Sequence, residues 1–222
     1  MNKETILIFS AHSDDLQLGM GATVAKYAEE GKKIISVIMT SGESSSPWLK
    51  ADIVKEERIK EAIEIDTFLG CEETIFLGIR DKDILGGIKH KGVVEHIDDN
   101  ETIKTVANII RKYQPNKIFT HSKIDPHEDH RATNEIVFKA LSSMTNKAIS
   151  VFVFEVWNVL NESRPRMYVD VTKTFKKKIQ AMKMFKSQKI SVYSLFVQVI
   201  LRAIFSGFHA KCRYAERFYK IR

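Results

Sequence analysis

The sequence has few cysteines and lacks a long apolar run. Its two cysteines, Cys71 and Cys212, lie far apart without a C-x-x-C partner, which argues against a disulfide framework or a structural zinc knuckle. No window approaches the roughly 20 apolar residues of a membrane span, and the first ten residues lack the long apolar region of a signal peptide. We therefore expect a cytoplasmic protein without stable membrane insertion.

The sequence also lacks internal repeats and a Pro-, Gly- or Ser-rich linker, so we expect its 222 residues to form a single domain, 1–222. Apolar runs typical of buried strands lie at residues 5–10, 33–39, 74–77 and 117–120. Apolar residues at helical spacing occur at 21–30, 52–69, 100–113 and 130–143. Alternating strands and helices predict an α/β fold: a Rossmann-like, doubly wound, mostly parallel sheet with helices on both faces.

The charge balance is basic, with 35 Lys and Arg against 28 Asp and Glu, a net charge of +7. In the densest basic segment, Lys173 to Lys189, apolar residues recur at helical spacing between the lysines, which predicts a solvated helix face. The sequence has neither the aromatic-plus-basic signature of an RNA-recognition module nor a helix-turn-helix pattern. A nucleic-acid binder rests on charge alone, and we expect no nucleic-acid partner.

Two polar clusters follow the first and the fourth predicted strands. The first is SAHSDDLQLG, residues 10–19, and the second is HSKIDPHEDH, residues 121–130. In doubly wound sheets, ligands bind outside the carboxyl ends of the strands, at the point where the strand order reverses. Because strands one and four flank that point in the commonest order, we expect both clusters to face one crevice.

The residue types in these clusters indicate a catalytic metal. A divalent cation binds neutral imidazole and ionised carboxylate together, and catalytic zinc takes three such ligands and leaves a position for water. His12, Asp15 and one later histidine would make that ligand set, and Asp14 could accept the proton of the water. The pair His127 and His130 supplies the third ligand and a group that polarises a carbonyl or protonates a leaving amine.

Each cluster also has an interpretation without a metal. An H-x-D-D after a strand is often an arrangement of cap and turn, and HEDH would serve as the acidic first turn of a helix from His130, with Asp129 as the N-cap. For His121 the alternatives are a metal ligand and a hydrogen-bonding partner within its loop. The joint placement of the two clusters after strands one and four favours the metal site.

The stretch AHSDDLQLGMG, followed by HEDH, resembles the A-H-P-D-D…G and H-P-D-H signatures of the PIG-L/LmbE family of zinc-dependent de-N-acetylases. RIKEA at 58–62 is similar to the family's R-x-x-E-A helix, and YAERF at 214–218 to its C-terminal A-E-x-F. The likeness covers nearly the whole chain. The sequence departs from the pattern at Ser13, which replaces the usual proline, and at Leu16-Gln17, where many members carry a glutamate.

This resemblance implies a zinc site whose ligands are His12, Asp15 and His130, with iron or cobalt as alternative metals. It implies that Asp14 is the general base that activates the metal water, which is the nucleophile. It further implies that His127 stabilises the tetrahedral oxyanion and protonates the departing amine.

Two further residues receive a function from the resemblance. Asp129 would orient His127 through a contact that fixes its tautomer, and Arg58 would reach polar groups of the substrate. The alternative for Arg58 is a charge on a helix surface, paired with Glu57 or Glu61.

Three other segments call for interpretation. Gly19-Met-Gly21 is similar to part of a dinucleotide fingerprint, but Val24 stands where a third glycine or alanine is required, so we expect no nicotinamide site. The apolar segment 192–205 predicts a helix in the core or at a subunit interface, with a membrane-surface contact as the alternative. Small members of the family commonly form homo-oligomers, so the resemblance implies one here. The loops 44–50 and 80–96 could wall the crevice.

The two metal motifs indicate a metal-dependent hydrolase, and the resemblance implies that it removes the acetyl group from an N-acetylated amino sugar or glycoconjugate of the N-acetylglucosamine type. Within the same chemistry, the alternative is an amidase that acts on another N-acyl compound or on a thiol conjugate. From a different class, the alternative is a non-catalytic protein that binds metal and sugar.

Overall fold

One seven-stranded sheet organises the computed structural model, which describes residues 3–40, 51–79, 100–144, 148–156, 163–187 and 189–222. The strands are β1 (Thr5–Ser10), β2 (Lys33–Thr40), β3 (Glu73–Ile79), β4 (Lys117–Thr120), β5 (Ser150–Phe154), β6 (Arg166–Asp170) and β7 (Ala215–Lys220). Their order in the sheet is β3-β2-β1-β4-β5-β7-β6. Strands β1 to β5 pair in parallel, and β7 is antiparallel to β5 and β6. The predicted α/β fold with a mostly parallel sheet is confirmed.

The helices in the described residues are α1 (Asp15–Glu29), α2 (Ala51–Leu69), α3 (Asn100–Tyr113), α4 (Glu128–Ser142), α5 (Phe175–Met184), α6 (Lys189–Ser194) and α7 (Phe196–Ala210). The helix predicted at 21–30 begins earlier because residues 15–19 already form a helical turn, joined to the rest across the non-helical Met20. The helix predicted at 130–143 begins at Glu128 because His127 caps it. The loops 44–50 and 80–96 lie outside the described residues.

Strand β1 shows why the sheet is covered on both faces. Ile6 and Ile8 are fully buried in the core that α1, α2, α5 and α7 form on one face. Leu7 and Phe9 are fully buried on the other face, against the core formed with α3 and α4. Burial of each such side chain contributes about 1.5–3 kcal/mol relative to exposure, so the continuous apolar run of β1 favours a central strand between two layers of helices.

The neighbours β1 and β4 mark the point where the winding of the sheet reverses. They pair in parallel, with Ile8 opposite Phe119, so their carboxyl ends lie side by side. The helix after β1 packs on one face of the sheet and the helix after β4 on the other. The two chain segments therefore diverge and leave a crevice between them, as the sequence predicts.

The basic segment forms α5, and its solvated face is confirmed in large part. Lys173, Lys176 and Lys183 are exposed. Lys178 is different: it is 1% exposed, and its Nζ lies 2.6 Å from a carboxylate oxygen of Glu216. The prediction of a solvated face is wrong at this residue, because the sequence pattern does not reveal a partner on a distant strand.

Helix α7 has one side in the core and another side turned outward. Val199 and Ala203 are buried. The large apolar side chains on the outward side are exposed: Val197, Leu201, Ile204, Phe205 and Phe208. In the described part of the chain, no helix combines the length and the apolar character needed to span a membrane.

Candidate metal and active site

The loop after β1 is tied to the strands on either side of it. The Ala11 carbonyl accepts hydrogen bonds from the Thr40 hydroxyl (2.9 Å) and the Thr40 N–H (3.0 Å) at the end of β2. The Ala11 N–H donates to Nε2 of His121 (3.0 Å), directly after β4. His121 therefore joins the two loops: its ring nitrogen accepts from the loop after β1 rather than from its own loop, and His121, Asp125 and His130 also form a group that could hold a metal ion. The backbone just before His12 is fixed from both sides.

His12, Asp15 and His130 lie together in this crevice, each with one ligand atom within 4.8 Å of the others. The Asp15 carboxylate lies 3.3 Å from Nε2 of His130 and 3.5 Å from Nδ1 of His12. Ligand atoms about 2.0–2.1 Å from a tetrahedral zinc ion are about 3.4 Å apart. The spacing and the two-imidazole, one-carboxylate chemistry of these residues therefore fit a zinc ion.

Carboxylates hold the imidazoles from the side away from Asp15. Asp125 Oδ1 lies 3.1 Å from Nδ1 of His130, and Asp129 Oδ2 lies 3.0 Å from Nε2 of His12. Contacts of this kind set the tautomer and the ring orientation of a metal-binding histidine. Asp125 was not among the residues predicted from the sequence; its position two residues before His127, inside the second polar cluster, is the signal that could have identified it.

His127 precedes α4 as its N-cap, and its side chain is partly exposed beside His12 and His130. Its Nδ1 accepts a hydrogen bond from the Asp129 N–H (3.3 Å), so His127, and not Asp129, is the N-cap. Its ring stacks on His130 with centroids 4.7 Å apart and meets His12 edge-on at 5.0 Å. The Asp129 carboxylate is nearer to His12 than to His127, from which it lies 3.7 Å. Asp129 therefore contacts both histidines, one mainly through its carboxylate and the other through its N–H.

Asp14 and Arg58 complete the constellation. Arg58 is only 8% exposed, so the alternative of a surface charge is wrong for this residue. Burial raises the pKa of Asp14, the charge of Asp15 raises it further, and His12 and Arg58 lower it in part. A half-buried carboxylate whose pKa is raised is a stronger proton acceptor than an ordinary surface aspartate.

The electrostatics of the cluster favour a positive charge at its centre. Burial alone would lower the pKa of His12, but hydrogen bonds with Asp129 and Asp15 outweigh burial and raise that pKa well above its usual range. Burial also opposes a charge on His130, yet Asp15 and Asp125 raise its pKa to about 9. A divalent cation supplies such a positive charge, and ligand binding to it requires the imidazoles to lose their protons.

Gln17, one of the departures from the family pattern, turns away from the crevice. It is fully buried, and its Nε2 donates to Oδ1 of Asp66 on α2 (2.6 Å). Ser13, the other departure, is 5% exposed in the loop between His12 and Asp14. The Gln17 departure therefore changes the packing beneath α1 rather than a group that faces a substrate.

The geometry agrees with comparisons to known proteins. Residues 7–141 match the family model PIG-L, described as GlcNAc-PI de-N-acetylase. The chain is 28% identical to the uncharacterised deacetylase YaiS of Escherichia coli K12 over 191 residues, which are 83% of this chain and 92% of that protein. It is 32% identical to the 1D-myo-inositol 2-acetamido-2-deoxy-alpha-D-glucopyranoside deacetylase of Thermomonospora curvata over 152 residues, 61% of this chain and 51% of that protein.

A relative with a different activity matches over more of the chain. The 4-oxalmesaconate hydratase of Pseudomonas putida KT2440 is 26% identical over 219 residues, 90% of this chain and 80% of that protein. Among solved structures, the N,N'-diacetylchitobiose deacetylase of Pyrococcus horikoshii superposes with a TM-score of 0.82 at 23% identity, covering 99% of this chain and 84% of that one. This structural likeness supports the assignment of the fold.

Proposed function

Because the chain belongs to the PIG-L family of de-N-acetylases, we propose that it is a zinc-dependent hydrolase that removes the acetyl group from an N-acetylated amino sugar or glycoconjugate. The observation that carries this proposal is the 3.3 Å and 3.5 Å spacing of Asp15 from two imidazoles in a crevice that also holds Asp14 and His127. The proposed products are acetate and a free amine.

In this proposal His12, Asp15 and His130 hold the metal, and Asp125 and Asp129 orient the two imidazoles. Zinc, when bound, polarises the acyl carbonyl and makes water a nucleophile near neutral pH. Iron or cobalt suits the same nitrogen and oxygen ligands, so these metals are the alternatives.

The remaining residues move protons and bind substrate. Asp14 takes the proton of the attacking water on its carboxylate, as its raised pKa favours. His127 is neutral at rest, because burial and the neighbouring imidazoles lower its pKa and its Nδ1 accepts from the Asp129 N–H. It donates a hydrogen bond to the oxygen that gains charge, takes up the proton that Asp14 removed from the water, and passes that proton to the departing amine nitrogen. Arg58, buried beside Asp14, binds hydroxyl groups of the sugar.

Two other activities remain as candidates. Hydration of an unsaturated acid is favoured by the hydratase relative, whose match spans 90% of this chain, and it uses the same ability to activate water. Hydrolysis of a different N-acyl compound or a thiol conjugate needs the same residues and differs only in the substrate pocket. A protein that binds metal and sugar without turnover would have no need for Asp14 or His127 in the crevice.

The test combines metal analysis with turnover. Freshly purified protein should contain about one zinc per chain, and a chelator should abolish acetate release from derivatives of N-acetylglucosamine. Water addition to 4-oxalmesaconate, assayed in parallel, identifies a hydratase. Tight sugar binding with metal but no product from any substrate would favour the binding protein.

Variants assign the residues. Asp14→Asn should lower kcat by about 10²–10⁴-fold with zinc retained, because the general base is lost. His130→Ala should lose zinc as well as activity. Glu128→Gln is the matched control, because its side chain is 58% exposed at the start of α4 and it changes the same charge without touching the cluster. Full activity in either site variant would contradict the proposal.

We further propose that the protein forms a homo-oligomer through the outward side of α7 and acts in the cytoplasm. The exposed apolar residues of α7 border a cavity of about 590 Å³ lined by Val197, Leu201, Phe205 and Arg217, large enough to receive aromatic side chains of a second copy. The cytoplasmic location is supported by Cys71 and Cys212, which are both free thiols.

A further inference from the structure

Helix α1 is broken one turn after the residues of the site. Met20 has φ −144° and ψ 17°, outside the helical region. In an unbroken helix the Leu18 carbonyl would accept a hydrogen bond from the N–H of Ala22. Instead it accepts from Nζ of Lys178 on α5 (2.8 Å) and from Nη2 of Arg202 on α7 (3.0 Å). Two cations therefore cap the carbonyl end of the first turn, where a helix favours positive charge.

The second half of α1 is capped with the opposite charge. The N–H groups of Ala22 and Thr23 donate to the two carboxylate oxygens of Glu216 on β7, at 3.3 Å and 2.7 Å. The same carboxylate pairs with Lys178 at 2.6 Å, and both side chains are almost completely buried, at 2% and 4% exposure. One buried ion pair thus satisfies both backbone ends that the break exposes.

Gly19, just before the break, allows this close packing, whereas a Cβ on Gly21 would make an ordinary contact. A Cβ atom on Gly19 would lie 2.5 Å from Cδ2 of Phe154 on β5, and a Cβ on Gly21 would lie 3.4 Å from Cγ of Lys178. A side chain at position 19 would push the first turn away from the sheet. The absence of a side chain at Gly19 therefore serves the break in the helix.

We infer that Lys178, Arg202 and Glu216 are positioning residues that hold the first turn of α1, and with it Asp15, at the distance from His130 that a metal requires. The connection is short. The Leu18 N–H donates to the Asp14 carbonyl (3.0 Å), so the residue that the two cations hold also closes the turn that contains Asp15. Without the cations, the Leu18 carbonyl would be left buried without its charged donors, and the turn would move to find another donor. The inference deepens the proposed function and rests on it for the metal.

The test uses variants that remove the side-chain hydrogen bonds on either side of Met20 and leave the proposed metal ligands and Asp14 unchanged. Loss of one partner alone would leave a buried charge unpaired, so the main variant is the neutral pair Lys178→Met with Glu216→Gln, in which the glutamine oxygen can still accept from an N–H. Arg202→Met is the second variant, for use if the first does not fold, and Arg202→Lys is the conservative variant expected to restore function in part. Val106→Ala, on the buried side of α3, is the control for a general loss of stability.

Two measurements decide the inference. Amide hydrogen exchange at Leu18 should be faster in both cation variants than in the wild type and the Val106→Ala control, because the turn is less well held. Zinc affinity, measured by competition with a chromophoric chelator, should fall about tenfold in the cation variants, recover partly with Arg202→Lys and stay unchanged in the control.

The outcomes separate this inference from the proposed function. Exchange at Leu18 no faster than in the control would overturn the inference, as would faster exchange with undiminished zinc affinity. A wild-type protein that binds no zinc would overturn the proposed function, and exchange at Leu18 would then decide alone whether the three residues hold the turn.

Discussion

The buried carboxyl of Asp66 gives a prediction whose size follows from the structure. Asp66 is 0% exposed under α1, where it accepts hydrogen bonds from Gln17 (2.6 Å) and from the Thr74 hydroxyl (2.9 Å). Burial raises its pKa from 3.8 to about 6, since its hydrogen bonds only partly offset the cost of removing the charge from water.

The sign of the effect on stability follows from proton binding. Between about pH 4 and pH 6 the folded state binds more protons at Asp66 than the unfolded state does, so the free energy of unfolding falls as the pH rises through this range. A shift of one pKa unit corresponds to about 1.4 kcal/mol, so the shift of about two units costs the folded protein about 3 kcal/mol above pH 6. Asp66→Asn removes this titration, and an amide can still exchange hydrogen bonds with its neighbours.

Urea unfolding of the wild type and of Asp66→Asn should therefore be compared at several pH values from 4 to 7.5. The free energy of unfolding of Asp66→Asn, minus that of the wild type, should increase by about 3 kcal/mol across this range. Contributions from the site histidines cancel in this difference because both proteins contain them. Thr74→Val, in a protein that keeps Asp66, removes a hydrogen-bond donor to the ionised carboxylate. In this variant the free energy of unfolding should fall by more between pH 4 and pH 7.5 than it does in the wild type. A difference between wild type and Asp66→Asn that does not vary with pH would refute the reasoning.

Two further predictions concern α7. Phe208→Ser combined with Val197→Ser should shift the protein toward the monomer in sedimentation experiments, whereas Lys104→Ser should not; an unchanged distribution would show that this side of α7 is not the subunit interface. Gly207→Ala should lower the free energy of unfolding by about 1–3 kcal/mol, because the added Cβ would lie 2.7 Å from the Cys212 carbonyl and 2.8 Å from that of Arg213; unchanged thermal stability would contradict this packing.

The sequence predicted those parts of the fold that depend on local patterns. Apolar runs identified the strands from β1 to β4, and the alternation of strands and helices identified the parallel sheet. The position of the two polar clusters at one crevice followed from the general rule for such sheets, and the structure brings His12, Asp15 and His130 together there.

Contacts between distant residues escaped prediction because no local pattern encodes them. In the sequence Lys178 resembles the other lysines of a basic helix, yet its Nζ donates to the carboxylate of Glu216, 38 residues later in the chain. The sequence gives no signal that Asp125 contacts His130, or that His121 lies against Asp15 of the other loop, but the sheet brings these residues together. Asp129 looked like an N-cap because of its residue type, whereas the cap is an imidazole nitrogen of His127, an acceptor that propensity scales rarely rank.

The place of β7 in the sheet bears on the order in which the protein is made. Every proposed ligand and proton carrier lies in the first 130 residues, but β7, residues 215–220, is inserted between β5 and β6 and supplies Glu216 to the break in α1. A nascent chain released before residue 216 would carry the complete set of site residues without the strand that joins β6 to the sheet. Synthesis that stops early would therefore yield an exposed strand edge prone to aggregation, so completion of the site would be one of the last events in the synthesis and folding of the protein.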